Sequence, residues 1–294
     1  MPINNFTITI ANTNNQSIIL EGSRPQNFGL TAVDGLEATG YTQNININSN
    51  FPGGTLAGTQ ISPRQININF NLIKNDREQE NRLYLERFFK PTQEFDVIVT
   101  RQSVTRHIKC YLQKLTIKQT HLYATQYVTL SLVAPNPFFM DMSDYGRDIA
   151  SVTGMFAPPF LMNATTGQIM GTIKNENLTT IENGGDMEVG LTARFVAKDT
   201  VHNIKLYNAR SETDYVRVID IMTAGNIITI STMDGHKRIT KTAAGIDSNI
   251  INKLDRSSNF FKIKPGVNVI GFEADEGANV LEVWLHYTPL YYGI

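Results

Sequence analysis

The sequence holds a single cysteine, Cys110, among 294 residues. One thiol excludes an intramolecular disulfide framework and any multi-cysteine zinc or iron–sulfur site. Charge is scarce too: Asp, Glu, Lys and Arg make up 18% of the chain, against roughly 25% in an average globular protein. The signs nearly cancel, with 26 basic and 27 acidic residues giving a net charge of −1. That balance excludes a dedicated nucleic-acid binder with a basic face and a disordered charged tail. Long apolar runs are missing as well. The interval between Asp148 and Lys174 carries no charge and is long enough to cross a bilayer. It is interrupted by Gly154, Pro158, Pro159, Asn163 and Gly167, so no membrane insertion is expected. The first residues lack the basic start and apolar core of a secretory signal. The sequons at Asn5, Asn15, Asn163 and Asn177 therefore predict no glycan.

What fills the chain is Asn, Thr, Ser and Gln, interleaved with β-branched residues at period two. Phe6, Ile8 and Ile10 alternate with threonines, and Ile45, Ile47, Ile66 and Ile68 alternate with asparagines. Similar alternation covers residues 97–99, 108–117 and 127–133. This is the signature of half-buried strands. One helix interrupts them. Asn75 is its expected N-cap, with Glu78 three residues on as the capping-box partner. Leu85, Phe88 and Phe89 form an apolar stripe at helical spacing, and Pro91 stops the helix. The helix should lie on one face of the N-terminal sheet.

Pro135 and Pro137 break the pattern, which places a domain boundary just after Phe139. The expected organisation is an N-terminal domain over residues 1–139, then a linker plus C-terminal domain over residues 140–294. At about 150 residues each, both halves can bury a core. The second half again reads as short strands with turn signals, including Asp234-Gly235, a strong hairpin pair, as in a β-sandwich. Residues 43–48 and 65–70 are near copies flanking a glycine-rich connector, residues 51–61. They read as a long hairpin with isoleucine on one face and asparagine on the other.

The sequence offers little chemistry. His107 and Cys110 lie three apart on an expected strand and so point to opposite faces, which suits neither a metal nor a thiolate–imidazole pair. Asp141, Asp144 and Asp148 lack the spacing of a calcium loop. Glu94/Asp96 and Asp275/Glu276 flank strands, where charges are ordinary. The nucleophile-elbow, phosphate-loop and His-Glu-x-x-His signatures are absent. Trp284, flanked by Val283 and Leu285, reads as a core residue, with His286 on its face. No catalytic, cofactor or metal residues are assigned, and no enzymatic activity is expected.

The order of these pieces resembles the distal tail proteins of long, non-contractile-tailed bacteriophages infecting Gram-positive bacteria. The marks are residues 16–20, Val33-Asp34-Gly35-Leu36, the paired strands around the glycine-rich connector, the helix over residues 77–89, and the close at residues 132–139. Further marks are Asn183-Gly184-Gly185-Asp186, the Asp234-Gly235 hairpin and residues 260–268. The resemblance implies an all-β fold, with an N-terminal β-sandwich belt domain carrying one α-helix and a C-terminal galectin-like β-sandwich. It implies a homohexameric ring at the virion tail tip, assembled in the host cytoplasm, that joins the tail tube protein to the tail-associated hub protein. In some relatives the ring also carries receptor-binding proteins. This chain lacks the large insertion some of them use as an arm, so that partner stays open.

The glycine-rich connector supplies the interface candidates: Phe51, Gly53, Gly54, Leu56, Gly58 and Ile61. Ordering so flexible a segment costs entropy, which a neighbouring subunit could offset by a head-to-tail contact. The alternative reading is a carbohydrate-binding, lectin-like module, with a carbohydrate-active enzyme third. An exposed aromatic platform with polar neighbours would favour the lectin, and two convergent carboxylates the enzyme.

Overall fold

The computed structural model describes residues 6–22, 25, 27–38, 40–47, 52–73, 77–119, 124–142, 145–154, 171–175 and 177–294. The chain forms two compact units: Met1–Met142 with Leu290–Ile294, and Ser143–Pro289.

The first unit runs through β1 (Phe6–Asn12), β2 (Ser17–Glu21), β3 (Phe28–Asp34), β4 (Tyr41–Ile47), β5 (Gly54–Ile61) and β6 (Arg64–Leu72). Helix α1 (Glu78–Phe88) follows, then β7 (Glu94–Arg101), β8 (Val104–Lys118), β9 (Tyr127–Ala134) and β10 (Phe139–Asp141). The second unit comprises β11 (Tyr145–Gly154), β12 (Gly171–Asn175), β13 (Leu178–Asn183), β14 (Thr192–Ala197), β15 (Val201–Asn208) and β16 (Tyr215–Met222). It continues with β17 (Ile227–Ser231), β18 (Arg238–Ala243), β19 (Ile246–Asn249), β20 (Gly266–Glu276) and β21 (Leu281–Tyr287). The last strand, β22 (Leu290–Tyr291), pairs with β10 of the first unit.

In the first unit one sheet runs β22-β10-β8-β7-β1-β2-β3-β6-β9 and closes on itself because β8 also pairs with β9. The strand can serve both neighbours because it is 15 residues long and carries a bulge between Leu112 and Lys114. Such a bulge bends a strand and tightens its twist. Alternation then sends Ile8, Ile10, Ile66, Ile68, Phe70, Val97, Val99, Leu130 and Leu132 inward, all fully buried or nearly so. Helix α1 adds Leu85, Phe88 and Phe89 to this core. Phe88 and Phe89 meet Phe95 with ring centroids 5.8 and 5.3 Å apart.

The helix starts at Glu78 after Arg77, which makes no side-chain capping bond; Asn75, its expected cap, lies outside the described residues. Helical bonding ends when the Phe89 N–H donates to the Leu85 carbonyl, just before Lys90 and Pro91. Residues 140–141 and 145–154, read from the sequence as the start of a linker, fall in strands paired with β8 and β21. Gly146 is tolerated there because it sits within a ladder opposite His286.

The second unit is a sandwich. A sheet of order β12-β11-β21-β14-β17-β18-β19 faces one of order β13-β20-β15-β16. Phe195 and Phe272 meet between them edge-on, 6.4 Å apart. The fold class is all-β, as the period-two pattern implied. Trp284 departs from its expected place. Leu281, Val283, Leu285 and Tyr287 take the core face of β21, so strict alternation leaves Trp284 and His286 half-buried on the outer face. There the Arg194 guanidinium lies 5.6 Å from the Trp284 ring.

Candidate functional site: an open apolar ribbon

The connector expected between two Asn-Ile strands is itself a strand. Gly54–Ile61 pairs antiparallel with Tyr41–Ile47 as a separate two-stranded ribbon. The near-copy segments therefore part company: the first stays in the ribbon, while Arg64–Leu72 joins the main sheet between β3 and β9. The expected hairpin of residues 43–70 is corrected on this point. The physical reason is burial: β6 sends Ile66, Ile68, Phe70 and Leu72 into the core, whereas every residue of β4 is exposed.

Register fixes the ribbon's two faces. Tyr41, Gln43, Ile45 and Ile47 share a face with Ile61, Thr59, Leu56 and Gly54 opposite them. The other face carries Thr42, Asn44 and Asn46. A bulge between Asn44 and Ile45 absorbs Ala57. The apolar face is open, with Ile45 55%, Ile47 82% and Leu56 58% exposed. Gly54 is required by close pairing, since a Cβ there would come within 2.5 Å of Ile45 Cγ2 and 2.8 Å of the Asn46 carbonyl oxygen. Gly53 turns the chain at φ 105°, a conformation that favours glycine. Gly58 has open space around it. The base is tied down: Tyr41 meets Tyr292 edge-on at 6.3 Å, and Thr42 and Ser62 share a hydroxyl hydrogen bond of 3.3 Å.

Of the residues singled out from the sequence, Gly53, Gly54, Leu56, Gly58 and Ile61 fall together in this ribbon, and Phe51 lies outside the described residues. Tyr41, Ile45 and Ile47, which supply most of the apolar face, were not singled out. Their signal was present in the alternation of residues 41–47.

Glu94, Asp96 and Asp275, weighed for chemistry, have structural partners. Glu94 pairs with Lys109 at 3.0 Å and accepts the Tyr111 hydroxyl at 3.0 Å. Asp96 holds His107 Nδ1 at 2.9 Å, and Asp275 takes Arg217 at 2.8 Å. Cys110 is buried, and burial pushes its thiol up to about 12, far from a reactive thiolate. Among the described residues no group of three or more His, Cys, Asp or Glu is placed to hold a metal, and no helix is long and apolar enough to cross a membrane. Asp144 lies outside the described residues.

Residues 184–291 match the family profile of the siphovirus-type tail component, C-terminal domain. That stretch is similar to the siphovirus-type tail component domain. No curated protein matches the chain by sequence. Among solved structures, the SPP1 Dit protein, described as a hub adsorption apparatus in phages infecting Gram-positive bacteria, aligns with a TM-score of 0.66. The alignment has 14% identity and covers 96% of this chain and 98% of that one. A chain of the phage P2 baseplate in its activated conformation aligns at TM-score 0.50 and 10% identity, covering 98% of both. The matched stretch thus sits in a chain whose fold along nearly its whole length is similar to that of SPP1 Dit. The likeness to distal tail proteins rests on both findings.

Proposed function

We propose that this protein is a structural ring subunit of a phage tail tip, joining the tail tube to the tail-associated hub protein. The ribbon β4–β5 supplies the contact between neighbouring copies. The observation that carries this reading is the ribbon's exposed apolar face. An isolated two-stranded hairpin is marginal in water, and three large aliphatic side chains on one open face are an interaction surface rather than ordinary exposure. Burying each is worth about 1.5–3 kcal/mol. A ribbon docked on a different patch of the next copy makes a heterologous contact, and repetition of such a contact closes a ring. The match to the tail component domain and the likeness to SPP1 Dit support the tail-tip setting. Six copies are the number the resemblance implies.

The test is a charge placed on the open face. Ile47→Asp with Leu56→Asp should leave far-UV circular dichroism unchanged, because neither side chain is buried within the subunit. Light scattering coupled to size exclusion should then show the wild type as a six-fold ring and the variant as a monomer. A variant that still assembles at the same concentration removes the ribbon from the interface.

A further inference from the structure

The outer face of the four-stranded sheet in the second unit carries an ordered set of side chains that ring assembly leaves unexplained. Tyr207 on β15 and Tyr215 on β16 are register partners and share this face. Opposite Tyr207 on the other side lies Gly271 of β20. A Cβ on Gly271 would approach Tyr207 Cζ to 2.5 Å, its hydroxyl oxygen to 2.7 Å and Leu178 Cδ2 to 2.8 Å. The tyrosine ring therefore occupies the space a side chain would take. The glycine here serves a close approach rather than a turn.

Polar groups surround the two rings. Lys205 Nζ stands 5.2 Å from the Tyr207 centroid and 5.3 Å from that of Tyr215, and 3.3 Å from Glu273 Oε2. Next to it, Arg217 donates to both Asp275 oxygens at 3.0 and 2.8 Å. Asn203 Nδ2 donates to the same carboxylate at 2.8 Å. Asn203 reaches it from a bulge between His202 and Ile204, at φ 53°, a left-handed conformation uncommon for a residue with a side chain. Bulges of this kind re-aim a side chain, often beside a functional site. The tyrosines, with Leu178, Lys205, Arg210 and Glu212, line a depression of about 530 Å³, a size that suits a small ligand.

The chemistry of this face selects its ligand. Lys205 is matched by Glu273 and Arg217 by Asp275, while Arg210 donates to the Val267 carbonyl at 2.8 Å. With the cations so engaged, the face offers no track for a polyanion such as single-stranded nucleic acid, which needs free positive charge along its backbone. What remains is an aromatic surface bordered by fixed donors and acceptors without net charge. A pyranose has the complementary form: an apolar C–H face ringed by hydroxyls that both donate and accept.

We propose that this face is a subsite for a neutral saccharide, with a sugar ring against Tyr207 and Tyr215 and its hydroxyls hydrogen-bonded to Lys205, Arg210 and Glu212, which line the same depression. The depression is shallow, so a single site binds weakly. Repetition of the subsite on an assembled particle would raise the avidity for a surface bearing many copies of the sugar. The proposal does not depend on the ring.

The experiment titrates the full-length protein with tetrasaccharides of glucose, galactose and N-acetylglucosamine, to ~10 mM, following tyrosine resonances by NMR. At least one should bind saturably. Tyr207→Ala and Lys205→Met should each weaken it tenfold or more, while Tyr207→Phe, which keeps the ring and the fold, should stay within a few-fold. Trp284→Ala, on the other sheet, should leave binding unchanged. Absence of saturable binding by all three probes overturns the proposal. So does binding that is lost in Trp284→Ala and retained in Tyr207→Ala, or binding confined to a phosphate-bearing polyol included as a fourth probe.

Discussion

His107 bridges two strands of the first unit. Its Nδ1 meets both oxygens of Asp96 at 2.9 and 3.1 Å, and the Asp141 backbone lies against it. The hydrogen bond to Asp96 raises its pKa above the ordinary histidine value, against the opposing effect of burial. A group whose pKa is raised on folding stabilises the protein while it is protonated in both states. The stabilisation is therefore complete below about pH 6.5, the unfolded value, and fades as pH rises through the folded value. Asp96→Asn should destabilise the protein more at about pH 5.5 than at about pH 8.5, as read from urea melts. An equal loss at both pH values would mean that Asp96 does not raise the His107 pKa. Arg64 shows a different use of charge. Its guanidinium is buried and donates to the carbonyls of Pro137, Gly35, Glu37 and Tyr292. It also packs on Phe139, 4.8 Å from the ring. Burial lowers its pKa. Nothing in the spacing of the sequence foretold this residue, because its acceptors are backbone atoms spread from Gly35 to Tyr292.

Helix α1 is the element most legible from sequence, and the reason is periodic. Leu85, Phe88 and Phe89 recur at helical spacing and are 0%, 2% and 4% exposed. Phe88 touches Tyr84, Phe89 and Phe95 within 6 Å between centroids. Phe88→Ala should cost about 3–5 kcal/mol, the range for deleting a buried aromatic, measured by chemical denaturation at constant m-value. An unchanged midpoint would mean the cavity collapses or the ring is not in the core. The ribbon β4–β5 was half legible. Alternation marked β4 as a strand, but β5, with Gly54 and Gly58, carries the composition of a loop, since glycine is depleted in strands. Pairing across residues 41–61, which local propensity does not contain, decides its state. The same limit applies to Trp284: its flanking residues are core, yet period two assigns it to the opposite face. The Tyr207–Gly271 contact joins residues 64 apart and is invisible to any short window.

At the scale of the molecule, the last residues belong to the first unit rather than to the sandwich that precedes them. The cause is a pair of arginines. Arg64 donates to the Tyr292 carbonyl and Arg106 to that of Gly293. Arg106 also stacks on Tyr291 at 3.5 Å. The Ile294 N–H reaches the Leu36 carbonyl at 3.1 Å, and β22 extends the sheet beside β10. Gly293 permits this seating, because a Cβ there would come within 2.9 Å of the Leu36 carbonyl oxygen. Removing residues 290–294 would leave the buried Arg64 short of one acceptor. A hydrogen bond to a charged group is worth about 1.5–3 kcal/mol. The loss also uncovers Phe139, which is fully buried and pairs with Tyr291. Truncation should therefore lower the unfolding temperature of the first unit and leave that of the second unchanged, since the second unit's apolar strands surround a separate core. Calorimetry of the truncated chain, with tryptophan fluorescence reporting on Trp284 in the second unit, separates the two transitions. Arg64→Met should be less costly in the truncated chain than in the full one, because part of what Arg64 holds is already gone. If the two transitions fall together, or the two changes add without coupling, the arginines do not clamp the tail.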